Sequence, residues 1–390
     1  MSAELLRFGA LTETDLSAWR ELITTDPGYS SPFFSPTFTH VVSEVRDDVW
    51  VIVDRKAGKP VLIWPLQKAG RVAEPVGAPF SDYHGPIVFP EFDACLEDVL
   101  KTVGLDCVRM TSVFDYSGQI RPYAREFDGT FVVDLSDGME AYYELQKSLY
   151  PRHTKKMRRI SRKIVREVGE VEFNFDSQEQ AYWDLLLEWK QSQYLSTGRH
   201  NVLKPEWVRQ MLSRIWRTGD PECRGYLHTL THEGRLIAAE FNIGNSSTIH
   251  GWVPAYDPEF ASYSAGNLLQ EFIMPEACAR GMTFYDLGVS AAHYKKYYAS
   301  YQVPVVRATI RANTMRSALS GTGERLWRGV EDAHIPKLSG MAGQIRRRYD
   351  VIRSVEPTAK GRWEGVTAAA RQMMTSKASD SENVEESSES

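Results

Sequence analysis

The stretch GMTFYDLGVSAAHYKKYYAS, residues 281–300, joins a short apolar run to an acid and then to a cluster of phenols and amines. The run TFYDLG predicts a buried strand that ends near Asp286 and Gly288. Folds of the α/β class collect ligand-binding residues at strand ends, where a glycine lets the backbone approach a ligand closely. Soon after Gly288 come Tyr294, Lys295, Lys296, Tyr297 and Tyr298. We therefore expect an α/β fold with a ligand-binding cleft at this strand end.

The order of predicted elements extends this expectation along the chain. Residues 171–312 predict a strand, two amphipathic helices, three strands joined by short turns, a helix near Ala265–Arg280, the strand TFYDLG and the strand VPVVRATIRAN. Residues 5–135 predict a second mixed α/β unit, with a helix near Asp15–Thr24 and a hairpin around KAGK. The fold class is therefore α/β with two units.

Length and composition fit this organisation. The chain has 390 residues, 42% of them hydrophobic and 25% charged, which suits two globular domains. No apolar run approaches the roughly 18 residues of a membrane span, and the N-terminal residues lack a signal-peptide pattern, so a cytoplasmic location is predicted. The cysteines are widely spaced without a CxxC pair, which argues against zinc and disulfide frameworks: Cys95, Cys107, Cys223 and Cys278.

Charge is unevenly placed along the chain. The net charge is −5, and the five acids of residues 380–390 account for all of it, so the remainder is neutral. This balance does not favour nucleic-acid binding by the whole chain. The tail is also rich in serine and lacks aromatic residues, which predicts disorder.

Residues 151–168 predict a basic helix. Eight cations lie there against the single acid Glu167: Arg152, Lys155, Lys156, Arg158, Arg159, Arg162, Lys163 and Arg166. Cations at this density repel one another unless an anion lies nearby, which favours a phosphate-binding face. A solvated connecting helix is the alternative.

Residues 252–300, WVPAYDPEFASYSAGNLLQEFIMPEACARGMTFYDLGVSAAHYKKYYAS, resemble the CelD/BcsL-type acetyltransferases of polysaccharide synthesis. These belong to the GNAT acyltransferases and are related to the FemABX peptidyltransferases. The elements SPFFSPTFTHVV and PFSDYHGPIV near the N-terminus add to the resemblance, which covers roughly residues 5–312. It implies two tandem GNAT-like domains with mixed central sheets flanked by helices, acetyl-CoA or another acyl-CoA as donor, and no metal.

The predicted organisation follows from the resemblance and from composition. A degenerate GNAT-like domain is expected over 1–140, a basic connecting helix over 141–170, and the acyltransferase domain over 171–312. A basic extension is expected over 313–375, followed by a disordered acidic tail over 376–390.

The donor is expected at the start of the helix that begins with SAGNLL. Free backbone N–H groups at a helix start can hold a phosphate, and Gly266 removes a side chain there. The resemblance implies a donor site at this position, formed by Ser264, Ala265, Gly266 and Asn267. An ordinary helix entry capped by Ser264 is the alternative.

The candidate catalytic residues are two carboxylates and two phenols. Glu240 lies in the apolar strand LIAAEFNIG, where a raised pKa would suit a general base. Asp286 is the other candidate base, and Tyr294 or Tyr297 could protonate a leaving thiolate. The alternatives are a solvent-facing edge glutamate, a turn-capping aspartate and a surface turn.

The candidate acceptor contacts come from both predicted domains: Asp82, Tyr83, His84, His250, Tyr256, Lys295 and Lys296. A polar triplet on the long loop SDYHGP suits a domain interface. His228 and His232 are four residues apart but lack an acidic third ligand, so no metal site is predicted.

Three functions are consistent with these patterns. The first is an N- or O-acetyltransferase that modifies a saccharide or a lipid-linked saccharide of a cell-surface polymer. The second is a FemABX-like aminoacyl transferase acting on peptidoglycan precursors, whose charged tRNA the basic helix would hold. The third is a non-enzymatic GNAT scaffold, which the absence of a clear Q/RxxGxG/A pyrophosphate loop motivates.

The basic extension predicts a regulatory role. Its stretch IRRRYDVIR contains an RxxD element, Arg347 to Asp350, which could pair with the guanine edges of cyclic di-GMP. Contact with the anionic inner face of the cytoplasmic membrane, or with the chain's own acidic tail, is the alternative. The stretch is also expected to dock on the catalytic domains.

Overall fold

The computed structural model describes residues 2–115, 117–289, 294–322, 338–356 and 358–368. The strands are β1 (Glu4–Leu6), β2 (Val49–Lys56), β3 (Lys59–Ala69), β4 (Val72–Pro75), β5 (Ile87–Val88), β6 (Cys107–Val113), β7 (Ala124–Asp134), β8 (Glu172–Asn174), β9 (Arg224–His232), β10 (Arg235–Gly244), β11 (Thr248–Tyr256), β12 (Phe284–Val289) and β13 (Tyr301–Arg311). The helices are α1 (Glu13–Thr25), α2 (Pro36–Ser43), α3 (Leu96–Thr102), α4 (Gly138–Leu149), α5 (Pro151–Glu167), α6 (Gln180–Ser196), α7 (Glu206–Arg217), α8 (Ala265–Ala279), α9 (Met315–Ser320) and α10 (Leu338–Val355).

One mixed sheet contains these strands. Its order is β1-β2-β3-β4-β6-β13-β7-β12-β11-β10-β9-β8, and β5 pairs with β3 off this path. The pairs β4–β6 and β11–β12 are parallel, whereas their neighbours are antiparallel. The predicted fold class, a mixed sheet flanked by helices, is confirmed.

β7 and β13 exchange places between the N-terminal and C-terminal halves of this sheet: β13 lies beside β6, and β7 lies beside β12. β13, the last strand in the chain, lies between β6 and β7, with Ala308 opposite Met110 and Tyr301 opposite Val132. Its residue Ile310 belongs to the hydrophobic core of the N-terminal half, whereas Val133 of β7 belongs to the other core. The sheet is therefore continuous across residue 140, and the predicted domain ranges stay predictions.

The helix boundaries follow local signals. α1 begins with a capping box, because Thr12 accepts from the backbone of Asp15 while the Asp15 side chain accepts from the Thr12 backbone. α4 and α5 are separate helices, since α5 starts at Pro151, a residue suited to the first helical position.

Among the described helices, none has the length and apolarity that a bilayer span requires.

The chain divides into two compact units. The first contains Met1–Lys190 and Gln210–Ser317, and therefore the whole sheet. The second contains Gln191–Arg209 and Ala318–Ser390.

In the second unit, the Trp207 indole donates to the carbonyl oxygen of Val355 on α10 at 2.9 Å. Asp350 lies 3.6 Å from Arg346 and 3.7 Å from Arg353, while the Arg347 side chain is exposed. The Asp350 carboxylate is therefore engaged by neighbouring arginines. The cyclic di-GMP site at Arg347 and Asp350 stays a prediction.

Close packing beneath the sheet gives the first testable prediction. A Cβ added at Gly225 would lie 2.6 Å from the Phe241 ring and 2.9 Å from the Ile215 carbonyl oxygen. We expect Gly225→Ala to destabilise the protein by about 1–3 kcal/mol, because backbone and ring must both shift. The midpoint of urea unfolding measures this. Gly219→Ala, where nothing lies within 4 Å, is the control; equal midpoints in the two variants would contradict the packing.

Candidate functional site

β11 and β12 are paired only over a short distance. Their parallel register joins Thr248 to Phe284 and His250 to Asp286, and both strands then continue without pairing to each other in the described residues. On its other side β12 stays paired with β7, from Phe284 opposite Asp134 to Val289 opposite Thr130. The sheet therefore contains a gap between two parallel strands, directly beyond His250 and Asp286.

A bulge in β11 accompanies the gap. The register with β10 shifts so that Phe241 pairs with Val253 and Asn242 with Gly251, which leaves Trp252 without an opposite residue. The Trp252 backbone N–H instead donates to the Asn242 side-chain oxygen at 3.1 Å, and its indole donates to the Phe80 carbonyl oxygen at 2.9 Å. Bulges bend a strand and redirect side chains near active sites.

An imidazole lies between two carboxylates at the start of the gap. His250 Nε2 lies 2.8 Å from Asp82 Oδ2, and its Nδ1 lies 3.6 Å from Asp286 Oδ2. His250 is fully buried, as is the Tyr83 ring beside it. Asp82 comes from the long loop before β5, so this cluster joins residues from the two ends of the sequence.

Asp286 is the most heavily hydrogen-bonded member of the cluster. Its Oδ1 accepts from the Tyr83 hydroxyl at 2.8 Å, from the Thr130 hydroxyl at 2.8 Å and from the Gly288 backbone N–H at 2.7 Å. Gly288 has φ of 77°, and a Cβ there would lie 2.9 Å from Asp82 Oδ2. Glycine is therefore required at position 288, because its backbone is left-handed and because a side chain would collide with Asp82.

The electrostatics of the cluster favour an imidazolium. Burial lowers the pKa of His250, but the carboxylates of Asp286 and Asp82 outweigh it and raise the pKa to about 9. Burial raises the pKa of Asp286, but His250, Tyr83 and the Gly288 N–H together lower it below its ordinary value. His250 is therefore charged at neutral pH and acts as a hydrogen-bond donor rather than a base.

Lys295 brings a second cation to the cluster. Its Nζ donates to the Gly288 carbonyl oxygen at 3.1 Å, and the residue is only 8% exposed. Burial lowers the pKa of Lys295, opposed by the charges of Asp82, Asp286 and Glu240. The ammonium is thus held inside the protein beside three carboxylates.

Glu240 lies deeper, on an interior strand. Its Oε1 accepts from the Tyr285 hydroxyl at 2.8 Å, and a Cβ on Gly251 would lie 2.9 Å from the same oxygen. Burial raises the pKa of Glu240, and burial together with the Glu240 charge raises the pKa of Tyr294 to about 12. β10 has neighbours on both sides, so the alternative of a solvent-facing edge glutamate is wrong.

Three predicted contacts lie outside this cluster. The Tyr297 ring stacks on His153 of α5 at 4.9 Å, and Lys296 is exposed with its Nζ 5.0 Å from the Tyr297 ring centre. Tyr256, at the end of β11, is 39% exposed. The structure therefore separates Lys295, which faces the cluster, from Lys296 and Tyr297, which do not; Tyr294 lies near Glu240 and Gln270.

His84 has a different role from its neighbours Asp82 and Tyr83. Its Nε2 accepts from the backbone N–H groups of Thr111 and Ser112 at 3.0 and 3.1 Å, and its Nδ1 lies 3.1 Å from the Ser81 carbonyl oxygen. Burial lowers the pKa of His84 to about 4, so the ring is neutral. His84 ties the loop to β6 and does not join the cluster.

The start of α8 has an uncapped geometry. Ser264 adopts a left-handed conformation, with φ of 48° and ψ of 47°, and its side chain makes no capping hydrogen bond. A Cβ on Gly266 would lie 3.5 Å from Tyr256 Cδ1, which places this turn beside the end of β11. Ala265 is buried, and Asn267 accepts from the Tyr298 hydroxyl at 3.5 Å. The first-turn N–H groups lack the side-chain acceptor that a capping serine would supply.

Sequence reasoning missed two members of the site. Thr130 lies in the strand FDGTFVVD, where only its buried polar position sets it apart. Tyr285 directly precedes Asp286 and faces Glu240, so the YDLG motif contributes two site residues on opposite faces of one strand. Among the described residues, no three His, Cys, Asp or Glu side chains are grouped as a metal site would require.

One known domain family matches part of the chain. Residues 151–296 match the family model described as an acetyltransferase (GNAT) domain. A search of curated proteins finds no match. The match supports the prediction of an acyltransferase domain over these residues, whereas the link to polysaccharide synthesis is not confirmed.

Solved structures match the chain at low sequence identity. FemX superposes with a TM-score of 0.53 and 9% identity, covering 82% of this chain and 99% of that one. The C-terminal domain of a protein assigned as a lysylphosphatidylglycerol synthetase, from Agrobacterium fabrum, gives 0.49 and 11%, covering 80% and 97%. A tandem GNAT protein from the clavulanic acid biosynthesis pathway gives 0.45 and 13%, covering 80% and 99%.

The charge on His250 gives a pH-dependent prediction. Because the folded pKa of about 9 lies above the ordinary value of 6.5, the ion pairs contribute stability that is complete below pH 6.5 and is lost as pH rises through 9. We expect the free energy of unfolding to fall over this interval by something on the order of 3 kcal/mol more in the wild type than in His250→Gln. Urea unfolding at several pH values measures the difference. Parallel pH profiles for the two proteins would show that His250 is neutral.

Proposed function

We propose that the chain is an acyl-CoA-dependent N- or O-acetyltransferase that modifies a sugar of a cell-surface polymer or its lipid-linked precursor. The observation that carries the transferase chemistry is the cluster of Asp82, His250, Asp286 and Lys295 at the gap between β11 and β12. The resemblance of residues 252–300 to polysaccharide acetyltransferases supports the acceptor class.

Asp82 is the residue best placed to accept the acceptor's proton. Its side chain is 31% exposed, against 10% for Asp286, and Glu240 is buried. Asp286 already accepts three hydrogen bonds and has a lowered pKa, so it is a weak base in this setting. We therefore assign Asp82 the role of general base and Asp286 the role of holding His250. This differs from the expectation that Glu240 or Asp286 is the base.

Four side chains take part in the proposed transfer step. The acceptor nitrogen or oxygen attacks the acyl carbon and loses its proton to Asp82, while the carbon–sulfur bond breaks. Tyr294, whose pKa of about 12 keeps it protonated, supplies a proton to the departing thiolate. The buried Lys295 ammonium and the His250 imidazolium stabilise negative charge that develops nearby.

The donor would lie along the start of α8. The uncapped first turn of that helix offers N–H groups to a pyrophosphate, and Gly266 keeps the approach open. The gap between β11 and β12 would admit the pantetheine arm. Ser264, Ala265, Gly266 and Asn267 therefore remain the proposed donor-binding residues.

A second candidate is aminoacyl transfer from charged tRNA to a peptidoglycan precursor. The exposed cations of α5 favour it, because they would hold the RNA phosphates. Tyr150 and His153, at the start of that helix, contact the Tyr297 ring. The cluster chemistry would be the same, since an aminoacyl ester also reacts with an amine through a proton acceptor. Steep salt dependence of tRNA retention would support this candidate.

Substitution of Asp82 tests the proposed function. We expect Asp82→Asn to lower kcat for acetyl-CoA turnover with amino-sugar acceptors by about 100-fold to 10,000-fold, because the base is lost. The heat of acetyl-CoA binding should change little, since Asp82 does not line the start of α8. Thiol release and calorimetry measure the two quantities.

Asp93→Asn removes a carboxylate whose side chain is 79% exposed and serves as the control. Unchanged turnover in Asp82→Asn would contradict the assignment of the base. An absence of acetyl-CoA binding by the wild type would instead contradict the donor, and would favour the tRNA candidate or a scaffold.

A further inference from the structure

Helix α5 carries a cationic face that the acetyl-transfer chemistry does not use. Six cations of α5 are exposed and make no ion pair within the described residues: Arg152, Lys155, Lys156, Arg158, Arg159 and Arg162. Farther along the helix, Lys163 and Arg166 both pair with Glu167. The uncompensated charge is therefore concentrated in the first three turns of α5.

The packing of α5 fixes the direction of this face. Met157, Ile160 and Ile164 are buried and follow the three- and four-residue spacing of a helix stripe. Lys155, Arg159 and Arg162 follow the same spacing on the opposite side of the helix. The cations therefore point away from the core as one group.

Two leucines of α4, the helix directly before α5, are exposed. Leu145 is 40% exposed and Leu149 is 50% exposed, one turn apart on α4. Tyr142 and Gln146 of the same helix are buried, so the leucines face outward. α4 and α5 pack against each other, and Leu149 is three residues before Arg152.

We propose that this α4–α5 surface binds the anionic surface of a phospholipid membrane. The cations would lie at the headgroup phosphates, where each contributes about 1 kcal/mol, and the leucines would enter the interface. A nucleic acid could use the cations but would leave both leucines facing water, so the apolar component favours lipid. The surface is independent of the transfer chemistry.

The α4–α5 surface lies near the turn that carries Lys295 and Tyr297. Tyr150 and His153, at the junction of the two helices, contact the Tyr297 ring at 5.3 and 4.9 Å. Tyr297 belongs to the same turn as Lys295, which faces the cluster. A lipid-linked acceptor held at the membrane would therefore be presented near the transfer site; this clause alone rests on the proposed function.

Vesicle co-sedimentation of the full chain tests the proposal. We expect the wild type to bind vesicles that contain phosphatidylglycerol and phosphatidylcholine, not vesicles of phosphatidylcholine alone, and to dissociate as salt increases. The variant R152Q/K155Q/K156Q/R159Q should partition at least about 100-fold more weakly, given about 1 kcal/mol for each cation. Leu145→Gln combined with Leu149→Gln should weaken binding several-fold at unchanged charge.

A matched variant separates this surface from net charge. K59Q/K101Q/R121Q/R125Q removes the same charge from exposed positions elsewhere, and we expect it to bind as the wild type does. Equal loss in both quadruple variants, or no binding of the wild type to anionic vesicles, would overturn the proposal. Retention of the wild type on RNA without binding to anionic vesicles would assign the face to nucleic acid instead. Circular dichroism verifies that each variant is folded.

Discussion

The ion pairs of His250 with Asp82 and Asp286 connect the parts of this protein that matter for function. Asp82 belongs to the loop before β5, whereas His250 belongs to β11 and Asp286 to β12, two strands formed late in the sequence. Burying an imidazolium is costly, and removing one partner of a buried ion pair typically costs about 3–5 kcal/mol. The loop must therefore stay in place for the charge on His250 to be compensated. The two ion pairs of His250 therefore link the position of Asp82, the candidate base, to the separation of β11 and β12.

The exchange of β7 and β13 restricts the motion of the Asp82 loop relative to β11 and β12. β13 fills the space between β6 and β7, so the halves of the sheet share backbone hydrogen bonds in addition to side-chain contacts. Thr130 of β7 bonds to Asp286 of β12, and Tyr83 bonds to the same carboxylate oxygen. Relative motion of the two halves at this point would break ladder and side-chain bonds together. The site is therefore held by the sheet itself.

Much of this architecture could be predicted from the sequence. Hydrophobic periodicity and turn residues predicted the strand and helix order over residues 171–312, and the YDLG motif marked Asp286 and Gly288. The insertion of β13 beside β6 could not be predicted, because strand pairing between distant segments leaves no local signal. The same limit applies to Thr130 and to the choice between Lys295 and Lys296, since adjacent identical residues differ only in which face their backbone presents. His84 illustrates the opposite case, in which a polar residue within a site motif stabilises a loop.

We propose that acyl transfer takes place where β11 and β12 separate. A crystal structure of the full chain with a non-reactive thioether analogue of acetyl-CoA tests it most directly. We expect the pantetheine arm to lie between β11 and β12 beyond His250 and Asp286, with the pyrophosphate at the start of α8. The acyl carbon should then have room for an acceptor atom about 3–3.5 Å away on the side of Asp82. An analogue bound elsewhere, or an acyl group that no acceptor next to Asp82 can reach, would contradict the account.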